Sequence, residues 1–161
     1  MKNIAIASDH AGYELKLNVV SFLLQEGYEV KDLGPCNTDS VDYPDYGMSL
    51  AQAVSQGQFK RGIVICGTGI GMSIVVNRFP KIRGTLCSDV YTAKLCREHN
   101  DSNILVMGGR VIGPGLAQEI VKTWLTTPFE GGRHQNRLDK INKIDETLQT
   151  NGVKAELERE A

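Results

Sequence analysis

Cys66 stands where the apolar run Gly62-Ile63-Val64-Ile65 gives way to three glycines in five positions, Gly67, Gly69 and Gly71, interleaved with Thr68 and followed by Ser73. A cysteine closing such a run is commonly a small buried hydrophobe. At a helix N-terminus the same residue is drawn toward the thiolate and becomes a usable base or nucleophile. Glycines also let a ligand approach main-chain N–H groups, so this turn is suited to an anion or a developing oxyanion. Thr68 is either a helix cap or a hydroxyl within reach of whatever Cys66 attacks, and it can donate and accept a hydrogen bond in either role. The order G-x-G-x-G fits neither the dinucleotide fingerprint nor the phosphate-binding loop of nucleotide hydrolases.

The three histidines each stand beside another polar residue, as Asp9-His10, His99-Asn100 and Arg133-His134. Imidazole near neutral pH serves as acid, base or phosphate donor. Asp9 is equally suited to capping the first helix. Arg133 and Arg137, at i and i+4 of a helical pattern, point two forked donors the same way, which suits a phosphate monoester; the alternative is a solvated basic face paired with acids such as Asp139. The four cysteines form no C-x-x-C and no zinc-like set with the histidines, so reduced thiols and no metal are expected. Cys36, Cys87 and Cys96 lack the glycine turn and read as structural.

The elements that must position these residues alternate. Strand patterns fall at 3–8, 28–33, 62–66, 83–87 and 103–107. Tyr13, Leu17, Val20 and Leu24 recur at helical spacing, as do Leu116, Ile120 and Trp124, and weaker helices fit 45–56, 70–78 and 89–98. Continuous apolar strands alternating with helices predict a Rossmann-like α/β three-layer sandwich, a five-stranded parallel sheet covered on both faces, because parallel neighbours need crossover connections. Ligands of such sheets lie beyond the carboxyl ends of the strands. Ser8-Asp9-His10, Cys66 to Gly69, Ser88-Asp89 and Gly108-Gly109-Arg110 all follow strands and gather on that edge. His99-Asn100 precedes the fifth strand and belongs at the opposite edge, a misfit that a neighbouring subunit would resolve.

A chain of 161 residues with 41% hydrophobic and 23% charged residues and a formal net charge of -1 fits a single globular domain. That balance argues against wholesale nucleic-acid binding. No signal-peptide core precedes NIAIAS, and no apolar run reaches membrane-spanning length, so a cytoplasmic location without membrane attachment is expected. After the Gly131-Gly132 break a further helix over about 135–149 carries Leu138, Ile141, Ile144 and Leu148 at helical spacing and wants an apolar partner, its own sheet layer or another copy of the chain. The domain is thus placed at 1–149, with 150–161 a polar and poorly ordered tail.

Six stretches in order, ASDHAG, DYPDY (42–46), ICGTGIGMS, CREHND (96–101), GGRVIG (108–113) and EGGRHQNR (130–137), resemble the type B ribose-5-phosphate isomerases over about residues 1–149. The resemblance implies interconversion of ribose 5-phosphate and ribulose 5-phosphate without metal or organic cofactor. It also implies a homodimer, possibly a dimer of dimers, with active sites completed by the partner subunit. Carried over by position, Cys66 resembles the base that moves the proton between C2 and C1 through an enediolate, and Thr68 the group moving protons between the two oxygens. His99 resembles the ring-opening residue, with Asp9 its polar counterpart. Gly67, Gly69, Gly71 and Ser73 would line the anion hole. His10, Arg133 and Arg137 match the phosphate grip, Asn100 and Arg110 complete the substrate contacts, and His134 and Tyr43 lie nearby.

Two alternatives stand beside this reading. A phosphosugar isomerase acting on allose 6-phosphate or galactose 6-phosphate shares the cysteine and the glycine loop, although His99 speaks against the galactose type. A non-catalytic phosphosugar-binding module would use the arginines and the glycine turn and have no need of Cys66.

Overall fold

The structure, a computed structural model, describes residues 2–157. The chain divides into two compact units, one ending at Phe129 and one beginning at Glu130. In the first, strands β1 (Asn3–Ser8), β2 (Glu29–Asp32), β3 (Gly62–Cys66), β4 (Gly84–Leu86) and β5 (Ile104–Gly108) form one sheet in the order β2-β1-β3-β5-β4, every pair parallel. Helices α1 (Tyr13–Gln25), α2 (Tyr43–Ser55), α3 (Ile70–Val76), α4 (Val90–Asn100) and α5 (Pro114–Thr126) make the connections. This is the expected α/β sandwich.

The side chains divide by strand parity. Ile4 and Ile6, with Ile63, Ile65, Leu105 and Met107, face Leu15, Val19 and Leu23 of α1 and Ile120, Val121 and Trp124 of α5. Ala5, Ala7, Val64 and Val106 face Leu50 and Val54 of α2 and Met72 and Val76 of α3. The three central strands β1, β3 and β5 are buried along nearly their whole length, whereas edge strand β2 is largely exposed. On that edge the fully buried Lys16 of α1 donates from Nζ to Asp32 Oδ1 at 2.8 Å and to the Pro35 carbonyl at 2.6 Å, tying helix to strand.

The chain leaves β1 for β2 on one side and returns to β3 on the other, so the topological switch point lies between β1 and β3. A crevice opens at the carboxyl edge at such a point. The order also places β5 directly beside β3, with Cys66 opposite Gly108. The turns after β1, β3 and β5 are therefore neighbours.

The second unit holds α6, Arg133–Leu157. It begins two residues before the expected 135 and continues through residues that the sequence suggests as a polar tail; positions 158–161 of that tail lie outside the described residues.

Candidate active site

Three turns at the switch point are sewn together through their backbones. Asp9 N–H donates to the Ile65 carbonyl at 3.1 Å, Gly109 N–H to the Cys66 carbonyl at 2.8 Å, and Arg110 N–H to the Gly67 carbonyl at 2.9 Å. The fit leaves no room for side chains: a Cβ on Gly12 would collide with the Ile65 carbonyl oxygen, and one on Gly109 would stand 3.0 Å from the Ala11 carbonyl oxygen. Side chains on these turns thus start from one fixed platform.

On the first turn, Asp9 caps a short 3-10 helix, His10–Gly12, its Oδ1 accepting from Gly12 N–H at 2.9 Å. The capping role and a place in the site coincide. His10 Nδ1 lies 3.2 Å from Val41 N and 3.3 Å from Val41 O. In the tautomer protonated at Nε2, Nδ1 accepts from the Val41 amide and Nε2–H remains a donor for a ligand.

On the second turn, Cys66 is buried at 5% exposure, and its Sγ accepts the N–H of Gly69 at 3.1 Å. Gly69 adopts φ +81 as the N-cap of α3, a left-handed conformation that glycine takes without cost, and a side chain there would strike Leu86. Thr68, exposed, accepts from Ile70 N–H at 3.3 Å, so its hydroxyl ties down the first turn of the helix. Two of the expected anion-hole groups are engaged within the turn: the Gly69 amide on the sulfur, and Ser73 Oγ donating to the Ile70 carbonyl at 2.7 Å. The ring of Tyr43 lies over Gly71, where a Cβ would come within 2.7 Å of it. From the third turn the Arg110 side chain returns over the second, its Cδ 3.6 Å from the Cβ position of Gly67.

Asp9, His10, Tyr43, the Cys66–Ser73 turn and Arg110 are therefore brought together. His99 and Asn100 are not. They form the last turn of α4, which leads into the amino end of β5, while Cys66 closes β3; a five-residue strand separates the two levels by roughly 13 Å. That end of α4 is well fixed: Asp101, at φ 46, accepts from Arg83 at 2.7 Å and Arg97 at 2.8 Å. Arg97 also donates to the Ser102 carbonyl.

Arg133, His134 and Arg137 belong to the second unit, at the start of α6. Arg133 Nε donates to His134 Nε2 at 3.4 Å, and that nitrogen lies 3.4 Å from a Glu130 carboxylate oxygen. Asp139, the acid expected as an alternative partner for the arginines, accepts from Gln135 at 2.7 Å. Ser88-Asp89 sits two strands away from Cys66, and the Asp89 carboxylate caps α4 through Thr92 N–H at 2.7 Å. That bond and the one from the Thr92 hydroxyl hold its carboxyl below the ordinary aspartate range.

Sequence reasoning missed Val41, whose main chain orients His10, and Gly12, on which the platform closes. A contact over 31 residues leaves no local signal, and the ASDHAG glycine would have been noticed only as a turn residue.

Residues 4–141 match the family model described as Ribose/Galactose Isomerase. Ribose-5-phosphate isomerase B of Escherichia coli (strain K12) is 47% identical over 146 residues, which cover 91% of this chain and 98% of that protein. The structure of a ribose-5-phosphate isomerase B from Clostridium thermocellum is similar with a TM-score of 0.89 and 51% identity, covering 91% of this chain and 99% of that one. A ribose 5-phosphate isomerase from Thermotoga maritima gives a TM-score of 0.85 and 51% identity, covering 88% of this chain and 97% of that one.

Proposed function

The chain belongs to the Ribose/Galactose Isomerase family and is an isomerase, and from that premise we propose that it interconverts ribose 5-phosphate and ribulose 5-phosphate in a cytoplasmic homodimer, without metal or organic cofactor. The observation that carries the reading is the sulfur of Cys66, held by the Gly69 amide at the switch point beside Asp9, His10 and Arg110.

The furanose must first open. His99 of the partner subunit takes the anomeric hydroxyl proton, the C1–O4 bond breaks, and O4 takes up a proton on the side held by Asp9, releasing the C1 aldehyde. Cys66 then removes the proton from C2, and the electron pair moves into an enediolate across C1 and C2. Charge develops on the oxygen, and donors fixed in advance stabilise it more than they stabilise the ground state. The amides of Gly67 and Gly71 are suited to this, and the Gly69 amide and the Ser73 hydroxyl would join them on leaving their resting partners. Thr68 passes the O2 proton to O1, and Cys66 returns its own proton to C1, giving the ketose. His10, Arg133 and Arg137 grip the phosphate, with Arg110, His134, Tyr43 and, next to His99, Asn100 of the partner subunit completing the pocket wall.

A partner is needed because the chain's own His99 lies at the wrong edge of the sheet. An apolar rim around the glycine turn supports such a partner: Ile70 and Ile74 are 56% and 55% exposed and Tyr91 is 71% exposed, with Leu86 and Val111 nearby on the same edge. No described helix is long and apolar enough to cross a membrane.

The reading is tested by following ketose formation from ribose 5-phosphate, allose 6-phosphate and galactose 6-phosphate with chelator present. Ribose 5-phosphate is expected to be the best substrate by kcat/KM, with no change on adding chelator. Turnover of a six-carbon phosphate alone, or none of any sugar, would overturn it.

A further inference from the structure

Cys87 and Cys96 take no part in the chemistry above, yet their sulfurs lie 3.9 Å apart, both as free thiols. Cys87 follows β4, continuing the ladder through its N–H to the Val106 carbonyl at 3.0 Å, and Cys96 sits on the inward face of α4. Strand β4 is a three-residue edge strand, so the pair lies at the rim of the sheet, with both cysteines buried at 1% and 5% exposure. A disulfide needs sulfurs about 2.05 Å apart, so forming it requires the two side chains to rotate or α4 to approach the end of β4.

We propose that Cys87 and Cys96 are a reversible dithiol–disulfide pair, oxidised by hydroperoxides, that clamps α4 to the end of β4. The clamp lies one helical turn before His99 and Asn100. Its existence does not depend on which sugar phosphate the protein takes.

The two sulfurs are chemically unequal. Cys96 is lowered to about 7, first by the hydrogen bond from Cys87, then by Ser102, Thr85 and the Arg97 guanidinium, against the opposing effect of burial. Cys87 is pushed up by the same bond and by burial. As a thiol Cys96 donates to the Ala93 carbonyl at 3.3 Å; once ionised it accepts from Cys87 instead. Cys96 is then the attacking thiolate. It attacks one oxygen of hydrogen peroxide, the O–O bond breaks, Cys96 becomes a sulfenic acid, and the departing hydroxide takes up the proton that Cys96 lost on ionising and leaves as water. The Cys87 sulfur attacks that sulfur, the S–O bond breaks, and a second water leaves with the remaining proton. Two thiols are oxidised to one disulfide, one peroxide is reduced to two waters, and a small dithiol reverses the step by exchange.

The test is a peptide map of the full-length protein. Folded protein is treated with hydrogen peroxide, unreacted thiols are alkylated after denaturation, and the digest is compared with and without dithiothreitol. A Cys87–Cys96 linked peptide pair that disappears on reduction is expected, also in Cys36→Ser protein, where the exposed thiol is absent. Hydrogen exchange of α4 amides is expected to be about tenfold slower in the oxidised form. The proposal is overturned if both cysteines remain alkylatable after peroxide, or if they pass to sulfinic acid without a link. Unchanged exchange along α4 removes the clamp.

Discussion

At the scale of single residues, the sulfur of Cys66 and the amide of Gly69 make a unit that has no purpose in packing alone. A buried hydrophobe at the end of β3 would fill the same volume as alanine with no need of an N–H directed at it. Cys66→Ala is therefore expected to lower kcat by a factor on the order of 10²–10⁴, the usual share of a positioned base, while a non-isomerisable phosphosugar analogue binds with unchanged Kd. Stopped assays for kcat and calorimetry for Kd separate the two; equal losses in both would assign the cysteine to binding. The position of this residue was legible in the sequence because an apolar run, a cysteine and a glycine series occur consecutively. The same kind of signal marked Asp9, Thr68 and Arg110, each within two residues of a strand's end. What could not be read was where the donors point in the resting protein: the Ser73 hydroxyl turns back to Ile70, and His10 is oriented by Val41 from a loop far along the chain.

At the scale of elements, the strands and helices up to Phe129 fall within a few residues of their expected bounds because period-two and 3.6-residue patterns are local, whereas α6 runs on to Leu157 past the expected 149. Helix α2 starts at Tyr43 rather than 45 since Pro44 fits the first turn, where its missing N–H is not needed. Strand order is a different matter. Nothing local places β5 between β3 and β4, yet that placement puts Gly108 beside Cys66 and brings Arg110 over the glycine turn. Equally silent in sequence is Lys16, which looks like a solvated helix position and is instead fully buried against Asp32 and Pro35. Removing Asp32 leaves a buried ammonium with one partner fewer, whereas replacing the lysine leaves only a half-exposed carboxylate that water can reach. Asp32→Ala is accordingly expected to cost about 1–3 kcal/mol in urea unfolding, and Lys16→Met to cost less. The reverse order would mean that the lysine stem, not its charge, ties α1 to β2.

At the scale of the whole molecule, the decisive feature is that the residues proposed for proton transfer and for ring opening lie at opposite edges of one sheet. Cys66 and Asp9 lie on the carboxyl edge and His99 at the end of α4 on the amino edge, so two copies are required if each supplies what the other lacks. In the proposed homodimer an isologous pair would make two equivalent sites, each drawing its thiol from one chain and its imidazole from the other. Cys66→Ala and His99→Ala homodimers are then both inactive on the cyclic sugar. Mixed and allowed to exchange subunits, they form hybrid dimers in which one site has lost both groups and the other keeps both. With random reassortment half of the dimers are hybrids and half of their sites are intact, so about a quarter of the wild-type rate should return. The regain should need time or mild denaturant for exchange, and it should be absent when either variant is incubated alone. If the rate stays at the level of the separate variants although mass spectrometry detects hybrid dimers, thiol and imidazole act within one chain, and the end of α4 must reach Cys66 by a route the sheet does not provide.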